Sequence, residues 1–161
     1  MKKYLFITII LTISIVFLLS ANKEKIMTNS ISNLEIIKMI PEMYNSDPEL
    51  ADNIFDVNCI HHINGTIEEE RGPEVIKNSL EQMGKQFSGS KTEFLEIIPN
   101  GDTIAVRWNW KALNIQTQKK WSFNGNTIFH LKNGKIIEYW AIDDRLREMM
   151  AHGFTLVPRS K

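Results

Sequence analysis

Two acidic side chains in succession, Asp143 and Asp144, end an apolar run, and a histidine, His130, stands on the run before it. A carboxylate enclosed by apolar neighbours is lifted above its reference pKa of about 3.9 and becomes a better base. Such a base can remove a proton from carbon between two carbonyls, and a nearby imidazole can donate to the enolate that forms. No Cys/His cluster has zinc spacing and no glycine-rich loop could cradle phosphate, so this chemistry would run with no metal and no other cofactor.

These residues need a hairpin to hold them. Thr127–Gly153 begins as a strand, turns at Asn133-Gly134 and returns as a strand rich in Ile, Tyr and Trp. The period changes at Asp143-Asp144 to a helix-like run closed by Gly153. Upstream, Thr92–Ile98 and Thr103–Ala112 read as strands around a Pro99–Asp102 turn, and Trp121–His130 as a third. Earlier still, Gly72-Pro73 opens an amphipathic helix burying Val75, Ile76, Leu80, Met83 and Phe87, and Val57–Ile63 reads as a short strand. On that strand only one of His61 and His62 can point inward. Ser32 and Asn33 are plausible caps for a first helix, which Pro41 should kink or split; Asp47-Pro48-Glu49 starts another. Helices first and a meander of long strands after them mean α+β, with helices on one face of an antiparallel sheet.

The first 21 residues stand apart. Lys2 and Lys3 precede an uncharged run from Tyr4 to Leu19, and Ser20-Ala21-Asn22 follows, the layout of a secretory signal. The expected organisation is a signal peptide or anchor over 1–21, a flexible lead-in over 22–31 and one α+β domain over 32–157. The product would be secreted or held in the cell envelope; an uncleaved segment 4–19 would make it membrane-anchored, and only there would it meet a membrane. Removing 1–21 leaves 17 basic against 19 acidic side chains, no footprint for nucleic acid. The single Cys59 has no internal disulfide partner.

GKIIEYWAIDDRLREMMAHG closely resembles the C-terminal signature of the SnoaL-like polyketide (ester) cyclases, in the nuclear transport factor 2-like superfamily. VNCIHH, RGPEVIKNSLEQM, VRWNW and FNGNTIFHL resemble successive elements of the same family, and the likeness covers most of residues 33–153. The resemblance implies a cone in which a curved antiparallel sheet and N-terminal helices enclose an apolar pocket. It also implies Asp144 as the acid/base, six residues after Glu138, with His130 as the pocket histidine and His62 as a second. Ile128 stands where the family's cyclases carry a polar side chain two residues before that histidine. Trp108, Trp140, Ile128 and Ile142 would form the pocket wall; Arg107 would either join it or face outward. Asp143, next door on a strand, should point away as a cap or surface acid. The implied activity is intramolecular aldol-type cyclisation or proton transfer on a small apolar carbonyl compound; a non-catalytic small-ligand-binding domain is the alternative. The resemblance also implies a possible homodimer through the outer sheet face.

Strand register decides whether Asp144 and His130 meet. A two-residue Asn133-Gly134 loop pairs Lys132 with Lys135 and places His130 on the face of Ile137, Tyr139 and Asp143. A three-residue loop with a bulge pairs Leu131 with Lys135 and places His130 on the face of Ile136, Glu138, Trp140, Ile142 and Asp144. Asn-Gly suits both turns; the resemblance favours the second, with Asp144 and His130 facing one cavity.

Overall fold

The computed structural model describes residues 32–68 and 70–157. The expected signal and lead-in lie outside them. Helix α1 (Asn33–Asn45) is capped by the Ser32 hydroxyl, which accepts from Glu35 N at 3.2 Å. It runs unbroken through Pro41 and buries Ile36, Ile37, Ile40 and Met43, so the expected split does not occur. Packing of that apolar stripe outweighs the hydrogen bond proline forfeits. A 3-10 turn (Pro48–Leu50) and a one-turn α2 (Ala51–Ile54) follow. Strand β1 is Phe55–Ile63, β2 is Thr66–Ile67 and α3 is Pro73–Gln86. Four further strands, β3 (Phe87–Asn100), β4 (Thr103–Asn114), β5 (Lys120–Lys132) and β6 (Lys135–Asp143), precede α4 (Arg145–Ala151).

The six strands form one curved sheet in the order β2-β1-β6-β5-β4-β3, antiparallel except where β1 lies parallel to β6. Strand period two sets its two faces. On β5, Trp121, Phe123, Gly125, Thr127, Phe129 and Leu131 are buried, while Ser122, Asn124, Asn126 and Ile128 are exposed. The inner face therefore carries cross-strand rows. Ile104, Phe129, Tyr139 and His61 make one deep row; Trp108, Gly125 and Asp143 make another nearer the end of β6. The helices close over the deep rows, and Ile37, Met43, Ile54, Ile104, Ile136, His61 and Cys59 are wholly buried there. A second cluster of Trp110, Ala112, Trp121 and Phe123, flanked by Met83, Phe87, Trp108 and Met149, fills the other end of the sheet.

The hairpin follows neither expected turn whole. Asn133 and Gly134 both have positive φ (53° and 72°), and Lys132 pairs with Lys135, as in a two-residue loop. One step on, Leu131 pairs with Ile136 but His130 pairs with Glu138. Ile137 is the extra residue of a bulge placed in the strand, not in the turn. Leu131 and Ile136 thereby stay in the core while His130 joins Glu138, Trp140 and Ile142 on the other face.

Candidate functional site

That other face is the outside of the sheet, which corrects the expected pocket. Ile128, Trp140 and Ile142 are exposed large apolar side chains, and Arg107 is an exposed residue paired with Glu96 at 3.4 Å. His62 stacks on Trp140 with ring centroids 4.6 Å apart and 5° between planes, and its Nε2 lies 2.8 Å from Glu138 Oε1. His130 meets the same indole edge-on at 5.1 Å. These residues form an outer row, since Ile98, Ala105, Ile128, Trp140, His62 and Ile67 are successive cross-strand neighbours over all six strands. Of the expected wall only Trp108 faces inward. Its Nε1 donates to Thr127 Oγ1 at 2.9 Å, and its indole lies against Gly125.

Asp144 and His130 do not form a dyad. Asp144 N donates to Asn124 O at 3.0 Å and Asp144 Oδ1 accepts from Asn124 N at 2.8 Å, so its carboxylate replaces a ladder carbonyl in the plane of the sheet. Oδ2 accepts from Arg147 Nε at 3.1 Å. Asn124 and His130 are six residues apart on one strand, or roughly 20 Å at the usual rise per residue. Hairpin geometry requires this: His130 lies close to the turn, Asp144 far from it.

The carboxylate that enters the fold belongs to Asp143. By alternation from Tyr139 and Ala141 it continues the inner face, and its side chain is 7% exposed. Arg145 holds both oxygens: its backbone N donates to Oδ1 at 3.1 Å and Nη2 to Oδ2 at 2.8 Å. Asn64 braces the other side, accepting from Asp143 N at 3.1 Å and donating to Oδ2 at 3.5 Å. The Arg145 guanidinium lies 5.2 Å over the Phe123 ring. Tyr44 reaches the interior from α1; burial pushes its phenol up to about 12, and Arg145 pulls the other way. Deeper in, buried His61 donates from Nε2 to Gly72 O (2.8 Å), and burial holds its pKa below the usual 6.5, with Arg71 adding to the shift. A neutral ring with Nε2–H donating to that carbonyl fits both facts.

A cleft of about 550 Å³ opens between the end of α1, the 3-10 turn, α3 and the start of β3. Tyr44, Leu80 and Met83 line its apolar part, and Glu49, Glu74, Lys77 and Glu81 line its charged part. Lys77 is ion-paired with Glu74, Asp52 and Glu49, and its hydrogen bonds to Glu74 and Asp52 raise its pKa. Among the described residues no group of three or more His, Cys, Asp or Glu side chains could hold a metal ion.

An antiparallel-rich curved sheet backed by N-terminal helices defines the nuclear transport factor 2-like, or ketosteroid-isomerase-like, class of α+β fold. IdmH from Streptomyces antibioticus superposes with a TM-score of 0.68 at 18% identity, over 77% of this chain and 100% of its own. TsrD from Streptomyces laurentii gives 0.65 at 18%, over 73% and 94%. A SnoaL-like polyketide cyclase from Agrobacterium tumefaciens gives 0.64 at 14%, over 76% and 99%. At such identities the likeness is one of fold. No curated protein matches the chain. Residues 35–151 match the SnoaL-like polyketide cyclase family, and the chain belongs to it.

Proposed function

We propose that the protein is an exported, cofactor-independent enzyme that moves a proton on a small, largely apolar carbonyl compound, as a cyclase or an isomerase. The observation that carries this is the Asp143 carboxylate, 7% exposed on the inner face at the end of the row of Trp108 and Gly125. In this scheme an Asp143 oxygen takes the proton from a carbon between two carbonyls. The Arg145 guanidinium, 2.8 Å from Oδ2, is the cation nearest the enolate oxygen. In a cyclase the carbanion then bonds to a second carbonyl carbon of the same molecule, and the alkoxide takes the proton back from Asp143. Asp144, the acid/base that the sequence resemblance implies, instead positions α4 through Asn124. A second copy pairing over the outer apolar row completes the proposal.

Deuterium uptake at C2 of ethyl benzoylacetate, followed by NMR, tests the chemistry without knowledge of the natural substrate. The wild type should exceed the buffer rate, Asp143→Asn should lose the excess while still binding the ester, and Asp144→Asn should retain it. Loss only in Asp144→Asn would return the base to Asp144. A non-catalytic binder is the second reading, and it is favoured by one fact: both Asp143 oxygens already have partners. For that reading the ester binds and no variant changes the exchange rate.

A further inference from the structure

The end of the fold that carries α4 is apolar and basic at once. Glu148 and Met149 define the helix's inner side: Glu148 Oε1 accepts from Ser122 N at 2.9 Å, and Met149 packs on the cluster of Trp110 and Phe123. Leu146 and Met150, four residues apart, are left together on the outer side. Phe154 keeps one edge on Trp121, with centroids 6.3 Å apart, and Leu156 and Val157 run on from it. Ile115, in the loop between β4 and β5, joins them. Its N donates to Gln86 O at 2.9 Å, next to the Phe87 ring that meets Trp121 edge-on. These six apolar side chains are 45% to 82% exposed. Exposed apolar residues scattered singly are ordinary, but six gathered at one end mark a contact surface.

Charge decides what that surface contacts. Lys119 and Lys120 stand exposed in and after the same loop, and Arg145 and Arg147 flank Leu146 with side chains 52% and 67% exposed. The acids of this segment are turned away or engaged: Asp143 and Glu148 point inward, and Asp144 is held by Asn124 and Arg147. Beyond Val157 the sequence adds Arg159 and Lys161 and no acid. Apolar tips ringed by lysine and arginine match a surface that is anionic above and hydrocarbon beneath. Long basic side chains keep their heads among phosphates while neighbouring apolar groups reach the acyl chains.

We propose that this end of the fold docks on the surface of an anionic phospholipid bilayer. Leu146, Met150, Phe154 and Leu156 enter between the head groups, and Lys119, Lys120, Arg145 and Arg147 lie against their phosphates. A membrane is then met at the carboxyl end of the domain and not only through a leader. The outer sheet row, the face given above to a second copy, stays clear. Nothing in this docking depends on proton transfer at Asp143.

All described elements lie within residues 32–157, so the chain lacking residues 1–21 keeps the whole fold and removes the leader's own affinity for lipid. It should float with vesicles of equal parts phosphatidylglycerol and phosphatidylcholine, and the binding should weaken as salt is raised. Lys119→Gln with Lys120→Gln should lower that partition by roughly tenfold or more. Leu146→Ser with Met150→Ser should lower it by roughly tenfold as well. With a nitroxide carried on the lipid head group, the Met150 methyl signal should broaden in NMR while that of wholly buried Met43 stays sharp. Variants that float as well as the wild type, or a Met150 methyl left sharp, would overturn the docking surface. So would a dimer that Leu146→Ser with Met150→Ser turns into monomer with flotation unchanged, which gives the patch to a second copy. The ethyl benzoylacetate test of Asp143 uses no lipid and stands or falls by itself.

Discussion

Gly125→Ala is the sharpest test of how the inner face is built. A Cβ at residue 125 would lie 2.1 Å from Trp108 Cζ2 and 2.5 Å from both Cε2 and Cη2. The obstacle is the middle of a rigid bicycle, not the end of a flexible chain, so the whole indole must tilt. Tilting strains the packing by about 1–3 kcal/mol. It also breaks the 2.9 Å bond from Trp108 Nε1 to Thr127 Oγ1, both of which lie on the inner face. That adds about 1 kcal/mol, for a total of roughly 2–4 kcal/mol. Thermal unfolding should show a fall in Tm of about 10 °C for a domain of this size. Trp108→Leu removes the obstruction, so the double variant should cost clearly less than the sum of the two single changes. A loss under about 0.5 kcal/mol in Gly125→Ala, or additive single and double variants, would refute the claim that the indole is seated on the glycine.

Cys59 is wholly buried and its thiol is pushed up to about 12, first by burial and then by Asp56 and Glu138; iodoacetamide at pH 8 should leave it intact in the folded protein and alkylate it in denaturant. His61 has a folded-state pKa below 6.5, so its contribution to stability is whole above the unfolded value near 6.5 and drains away as pH falls toward the lower folded value. Denaturant titrations of His61→Gln between pH 7.5 and 5 should therefore slope less than those of the wild type. Gly72→Ala would bring a Cβ to 2.4 Å from Val57 O at a φ of 79°, and should lose at least about 2 kcal/mol by the same titration. Trp140→Glu places a charge in the outer apolar row, and light scattering should show dimer giving way to monomer with the fold intact.

Much of the fold was legible because patterning and punctuation agreed. Gly72-Pro73 opened α3 as expected, and the Pro99–Asp102 and Asn133-Gly134 turns delimited β3, β4, β5 and β6. The strands run longer than their apolar stretches suggested: β3 begins at Phe87, drawn out of the supposed helix by pairing with Asn114. The site was harder to see. Face assignment on β6 turned on one extra residue, Ile137, and period-two patterning flips with a single bulge. Half of the signal was nonetheless present on β5. There Trp121, Phe123, Phe129 and Leu131 share one parity and Ser122, Asn124 and Asn126 the other, and His130 belongs with the polar set. Carried across the hairpin, that parity puts Trp140 outside and Asp143 inside only once the extra residue Ile137 is counted; without it the two faces of β6 exchange. The partnership of Asp143 with Arg145 and Asn64 had no linear signature, because the Asn64 contact spans 79 positions.

One topological detail reaches beyond the site. Strand β1 lies parallel to β6, the last strand, so Phe55 awaits Ile136 and His62 awaits Trp140 before the edge of the sheet can form. Contacts so distant along the chain form late and slowly. A polypeptide threaded amino end first through a narrow pore would emerge with its helical half still loose, and would lock shut only when its final hairpin cleared the exit. Were the chain exported as proposed above, such an order of events would keep it pliable in transit and make the hairpin the clasp that ends its journey.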